Sequence, residues 1–408
     1  MIAAFGVTLT GVAGLAAAPP TATTEIYDPK LDSWTPGPLL SKGRYAEAAT
    51  LLENGQILVT GGITDSGAPT SSAELYDPAT NRWTLMASMH AARSWHTATL
   101  LRNNLVLVVG GLGLDGKEEV TLSSAEVFDY RSNAWTVVQN LNDARSVHAS
   151  SRLADGRVIT VGGYRLDAAG ESIPLRTAEI FDPGTRKWTL TAPMPEPRGA
   201  VTSTALPNGD TLIVGGTDSP SPAIVYRPNS NTWKSTAVMH FAHVFHTATL
   251  LLDSRRVLVV GGSSPQHAVE VLDLSSGAWS PGPPTSDPRD HHDAVLLRSG
   301  KVLVLGGGMS LSTAEVFDPA SNTWTAARSM SFARSRTTSL LLASGQVIAI
   351  GGEVTDGGGP QQSQAKPSAT PGISMPLKLI GVILLSLFIR WVLATPFAML
   401  KRRSRRKA

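Results

Sequence analysis

The chain has 408 residues, 42% hydrophobic and 16% charged, with 38 Gly and 27 Pro, a mixture too apolar for disorder and too rich in turn formers for a helical bundle. The absence of Cys excludes a disulfide framework, a thiolate metal site and a cysteine nucleophile. The net charge of +3 conceals an uneven distribution: the last eight residues, KRRSRRKA, hold six of the 35 Lys and Arg, while residues 1–372 carry 27 bases against 32 acids, 27 − 32 = −5, which disfavours a nucleic-acid-binding surface.

Residues 1–20, MIAAFGVTLTGVAGLAAAPP, have an apolar centre and small residues around Ala16 to Ala18 suited to cleavage, and read as a signal peptide, although no Lys or Arg stands near its start. The rival reading takes TLTGVAGLAAAPPTATTEIYDP as a decayed copy of LVTGGITDSGAPTSSAELYDP and therefore as a strand. Residues 21–352 then repeat. A double glycine recurs at Gly61-Gly62, Gly110-Gly111, Gly162-Gly163, Gly215-Gly216, Gly261-Gly262, Gly306-Gly307 and Gly351-Gly352. In step with it come Trp34, Trp83, Trp135, Trp188, Trp233, Trp279 and Trp324. Seven or eight residues before each Trp stands an aromatic or Leu, mostly followed by Asp-Pro, as in Tyr76-Asp77-Pro78.

One unit shows the local structure. Residues 96–129 run HTATLL, a polar break, LVLVVGG, a loop and SSAEVFD, and Trp135 follows another break, which reads as four strands. LVLVV is apolar on both faces, so it needs cover on both sides, and a radial blade sandwiched between two others supplies it. The chain begins and ends out of phase with its repeat, each end holding half a unit. Residues 334–352 are expected to form the inner two strands, and 23–37 the outer two strands, of a seventh blade that closes the ring.

These residues resemble the kelch repeat, in which a double glycine follows the second strand and an aromatic and a Trp mark the third and fourth. The resemblance covers about residues 20–352, with Tyr226-Arg227 and Leu272-Asp273-Leu274 departing from the acidic-aromatic-Asp-Pro pattern. It implies an all-β fold, a seven-bladed kelch β-propeller closed by N- and C-terminal strands. Beyond it, residues 353–372 read as a Gly, Pro, Gln and Ser linker, 373–400 as a transmembrane helix and 401–408 as a basic cytoplasmic tail. Within the helix, residues 379–400 are an apolar run of membrane-spanning length. Arg390 costs it about 2.5 to 3.5 kcal/mol, whereas thirteen Leu, Ile, Val and Phe contribute about −0.3 to −0.6 kcal/mol each, so insertion wins. A helix lying in the interface is the alternative. The positive-inside rule keeps the tail cytoplasmic and the propeller outside, in a single-pass cell-membrane protein, and the lack of Cys and of Asn-x-Ser/Thr sites points to a prokaryotic cell surface.

In a propeller the loops between second and third strands share a face with the start of the inner strand. Those loops hold 11, 14 and 15 residues in the first three blades (63–73, 112–125, 164–178), against 7 in each of the next three. The opposite face carries tight turns such as Asn54-Gly55 and Asp155-Gly156. At the start of the inner strand the repeats align Arg44, Arg93, Arg145, Arg198, His243, Arg289 and Arg334, which serve either as carbonyl-bonded fold elements or as a ligand site at the channel mouth. Three residues later come Glu47, His96, His148, Val201, His246, His292 and Thr337, whose histidines are expected in hydrogen bonds between blades rather than around a metal. Trp95 and Phe245, two residues after the basic position, either pack the core or stack a sugar or peptide ring.

The resemblance implies either a recognition scaffold or one of a minority of enzymes. A galactose-oxidase-like copper radical site needs a Tyr linked to a Cys and is excluded. A kelch-type mutarotase or epimerase would use an acid and an Arg such as Glu47 and Arg44 near the channel mouth. No cofactor motif is present. The expectation is a binding module for a protein, acidic peptide or glycan. Charge at the mouth comes from the Arg series, countered by Glu47, Asp115, Glu118, Glu119, Asp167, Glu171 and Asp290.

Overall fold

The computed structural model describes residues 19–262, 267–308 and 310–354. The signal-peptide reading of residues 1–20, apart from Pro19 and Pro20, and the linker, membrane-helix and tail readings beyond Val354 lie outside these residues. Among the described residues no helix is long and apolar enough to cross a membrane.

Seven antiparallel four-stranded sheets are arranged in a ring. Blade 1 consists of Ala48–Leu51, Ile57–Thr60, Ala73–Asp77 and Arg82–Met86, and the others repeat this order. First strands of neighbouring blades meet all the way around, so each blade's first strand faces the central channel. In blade 7, Thr338–Leu341 and Val347–Ile350 come from the end of the ring, and Thr24–Asp28 and Ser33–Pro36 come from its beginning. The two halves pair as Thr24↔Ile350 through Tyr27↔Val347, which closes the ring as the sequence phase requires.

The second strands, ILVT, LVLVV, VITV, TLIV, RVLVV, VLVL and VIAI, are buried almost throughout because alternate side chains serve two different cores. Leu58 packs towards blade 2 with Val106, Phe128 and Trp135, whereas Ile57 and Val59 pack towards blade 7 with Ile348 and Ile350. Seven such clusters fill the seven gaps. Each recurrent Trp lies across from the aromatic or Leu of the third strand, as Tyr76 and Trp83 do with ring centroids 5.1 Å apart. Its indole nitrogen donates to the preceding blade: Trp83 to the Pro38 carbonyl (3.2 Å), Trp135 to Ala87 (2.8 Å), Trp188 to Gln139 (2.9 Å) and Trp34 to Arg328 (2.7 Å). Blade 4, one of the two atypical units, carries a bulge between Pro222 and Ile224, and the outer strand of blade 5 shortens to Trp279–Pro281.

Candidate functional site

The seven aligned basic residues sit just under the loop-rich face. None is exposed. Arg93 shows the arrangement: one terminal nitrogen donates to the Gly110 carbonyl (2.7 Å) and the Ser124 carbonyl (3.1 Å), and the other to Ser124 Oγ (3.1 Å) and Glu126 (2.9 Å). Arg44, Arg145, Arg289 and Arg334 repeat it with Glu74, Glu179, Glu315 and Glu25, and His243 does so with the Gly261 carbonyl and Glu270. In blade 4 the carboxylate position is Ile224, and Arg198 pairs instead with Glu196 and the Pro222 carbonyl. Each of the six glutamates also accepts backbone N–H groups from the linker entering its blade, as Glu126 does from His90 and Ala91. The aligned bases therefore pin linker, double glycine and third strand together beneath the mouth. They do not present charge at the mouth, because burial is balanced by a carboxylate in the same blade. Sequence reasoning missed this acidic partner series. Its signal was the Glu two residues before each third-strand aromatic, absent only in blade 4.

The double glycines make this approach possible. Gly162 has φ +59, and a Cβ there would lie 2.4 Å from the Arg198 carbonyl oxygen of the next blade. Against the same turns pack the residues three positions on. His96 meets Thr60 Oγ1, His148 meets Thr97, His246 meets Thr202 and His292 meets Thr247, each across a blade boundary at 2.9 to 3.0 Å. Burial depresses the basicity of all four, and His292 falls to about 3. Glu47 occupies this position in blade 1 with no other residue bonded to its carboxyl oxygens, and burial pushes its pKa up to about 8.

Between these two rings lies a third: Ala46, Trp95, Val147, Ala200, Phe245, His291 and Arg336. All seven have positive φ, between 50° and 58°. The strained conformation turns five of the seven peptides towards the neighbouring blade. Trp95 N–H donates to the Ala46 carbonyl (2.9 Å), Val147 to Trp95 (3.0 Å), Ala200 to Val147 (3.0 Å), His291 to Phe245 (3.0 Å) and Arg336 to His291 (2.9 Å). Strain held in place by these five hydrogen bonds between blades marks a position worth a functional reading. These residues line a cavity of about 260 Å³ at the mouth, together with Glu47 and the four histidines. Trp95 and Phe245 come from blades 2 and 5, with ring centroids 6.3 Å apart, and Phe245 stacks on His291 at 3.9 Å. Arg336 lies over the rings of Trp95 (5.6 Å) and Tyr45 (5.7 Å) and pairs with Glu353 at 2.5 Å. Trp95 thus stands at the mouth, half-buried, apart from the blade-to-blade cores.

The two longest loops fold into hairpins, Leu112–Asp115 with Glu118–Thr121 and Tyr164–Leu166 with Ser172–Pro174, joined by a hydrogen bond from the Leu166 N–H to Thr121 Oγ1 (2.9 Å). They raise a wall over blades 2 and 3. A second cavity, of about 220 Å³, lies among the turns of the opposite face, lined by Arg102, Arg152 and Asp210. Among the described residues no cluster of His, Asp or Glu is arranged to hold a metal.

The kelch motif family matches at residues 49–90, 97–142, 145–195 and 295–331, on blades 1, 2, 3 and 6. The chain is a seven-bladed β-propeller that carries kelch motifs. It is 35% identical over 97 residues to an F-box/kelch-repeat protein of Arabidopsis thaliana, covering 23% of this chain and 24% of that protein. It is 29% identical over 104 residues to a kelch-like protein of Aspergillus terreus, covering 25% of this chain and 22% of that one. The matches thus span about a quarter of these curated relatives. Among solved structures, a fungal alcohol oxidase of the AA5 family, in complex with copper, superposes with a TM-score of 0.61 at 17% identity, covering 76% of this chain and 74% of the other, a likeness of fold.

Proposed function

We propose that this kelch propeller is a recognition module that takes a protein or peptide at its mouth face and is held at a membrane by residues 379–400. The observation that carries the reading is the mouth cavity itself: every blade contributes one strained residue to its rim, and the two hairpins stand beside it. Kelch propellers generally bind proteins, which supports the class of partner. Of the acid and Arg considered for a sugar isomerase, Arg44 is not free for substrate, since it is spent on Glu74, Gly61 and Ser72.

Selection of a random peptide library against the full chain, reconstituted in nanodiscs, tests the reading. Selected peptides should lose affinity for a Trp95→Ala variant, and selection of peptides indifferent to every rim substitution would reject the mouth as the site. The anchor is tested separately: the protein should resist alkaline carbonate extraction and become extractable when residues 373–408 are removed.

A further inference from the structure

With the aligned arginines neutralised beneath the surface, the charge a ligand meets comes from other groups. Arg336 is the cation at the rim, and Glu353 balances it. The rest are acids. Asp290 lies 3.6 Å from His291, and Glu119 of the blade 2 hairpin, whose own pKa burial pushes up to about 7, acts on Tyr45. The hairpin segments 112–121 and 164–174 hold Asp115, Glu118, Glu119, Asp167 and Glu171 against Lys117 and Arg165, 2 − 5 = −3. Aromatic faces attract cations, and the protein displays this preference internally, where the Arg336 guanidinium lies over Trp95 and Tyr45. A second, independent feature is Glu47. It is 8% exposed and lines the cavity, and no other residue donates a hydrogen bond to either carboxyl oxygen, which its own backbone N–H alone approaches. Its counterparts in the ring are apolar, as Val201 is, or bonded to a neighbour, as Thr337 is and as the four histidines are through Nε2, their Nδ1 atoms staying unpartnered. A buried acceptor left unsatisfied in this way calls for a donor from outside.

We infer that the mouth receives an organic cation, a lysine or arginine side chain presented by a peptide partner, held against the rings of Trp95 and Phe245 with Glu47 as its counter-ion. The inference rests on the mouth-binding reading above and names the partner's chemistry, reversing the acidic-ligand expectation from the sequence. Proton linkage follows. Burial keeps the Glu47 carboxyl protonated up to about pH 8 despite the two cations that act on it, Arg44 of its own linker and Arg334 of the blade 7 linker. A bound cation favours the ionised form and draws that proton off, while a lysine ligand stays charged below about pH 10. Affinity should therefore rise with pH through this window.

The test uses the full chain in nanodiscs and four labelled pentapeptides, acetyl-Gly-Gly-X-Gly-Gly-amide with X lysine, arginine, glutamate or serine, followed by fluorescence anisotropy. The lysine and arginine peptides should bind more tightly than the other two, and more weakly at high salt. Trp95→Ala and Phe245→Ala should each weaken them about fivefold or more, with melting curves showing which variants remain folded. Affinity for the lysine peptide should rise about tenfold between pH 6 and 8, and Glu47→Gln should flatten that rise. Preference for the glutamate peptide, with loss in Trp95→Ala, would overturn the inference and leave the binding module standing. Peptide affinities unchanged in both folded aromatic variants would overturn both. A pH slope that persists in Glu47→Gln would remove Glu47 as the counter-ion.

Discussion

Arg145→Met should destabilise the propeller by about 3 to 5 kcal/mol, the cost of leaving one partner of a buried ion pair uncompensated. The wild-type guanidinium donates to the Gly162 carbonyl (2.8 Å), the Thr177 carbonyl (3.1 Å), Thr177 Oγ1 (3.2 Å) and Glu179 (2.9 Å). Both partners are fully buried, so solvent cannot replace what is lost. Glu179 would keep Asn142 and Asp143 as donors but lose its counter-charge. Blade 4 suggests the rescue. There Ile224 stands at the glutamate position, and Arg198 pairs with Glu196, two residues before it. Asp143 holds the corresponding place in blade 3, so adding Asp143→Glu to Glu179→Ile should restore part of the stability that Glu179→Ile alone removes. Urea melts followed by Trp fluorescence measure all four proteins. If Arg145→Met melts within about 1 kcal/mol of wild type and instead loses peptide binding, the arginine belongs to a ligand site and the scaffold argument is wrong.

Trp188→Ala should cost about 3 to 5 kcal/mol in the same melts, because the ring is 6% exposed and packs 5.1 Å from Phe181; Trp188→Phe separates out the hydrogen bond to Gln139, about 1 kcal/mol. Gly162→Ala should be far worse than Gly170→Ala: both have positive φ, but a Cβ at Gly162 collides with the Arg198 carbonyl and one at Gly170 meets nothing within 4 Å. Deleting residues 21–36 should abolish cooperative melting by removing the outer half of blade 7. Two opposed pH effects are expected. The four ring histidines are less basic folded than unfolded, so the unfolded chain takes up protons first, and stability should fall as pH drops below about 6.5. Glu47 binds its proton more tightly folded, so its contribution is full below about pH 4.5 and declines as pH rises towards 8, by up to about 1.4 kcal/mol per pH unit. Glu47→Gln should accordingly stabilise the protein at pH 8 more than at pH 5.

The number of blades, their phase and the closure of the seventh were all legible in the sequence, because a repeat that needs neighbours on both faces prints the same glycine, aromatic and tryptophan registers seven times. The long loops of blades 2 and 3 were legible as length, though not as paired hairpins. The fate of the aligned arginines was not. Whether a guanidinium faces solvent or a carboxylate depends on a partner 26 to 34 residues away in most blades, and 309 away between Arg334 and Glu25. The mouth depended still more on the tertiary structure. Trp95 and Phe245 stood out as departures from the repeat, but Arg336 and His291 at the same offset did not, and nothing in the one-dimensional pattern joins residues 150 and 196 positions apart. Local periodicity encodes each blade, since strand pairing is local. Only closing the ring brings one residue from every blade to a common rim.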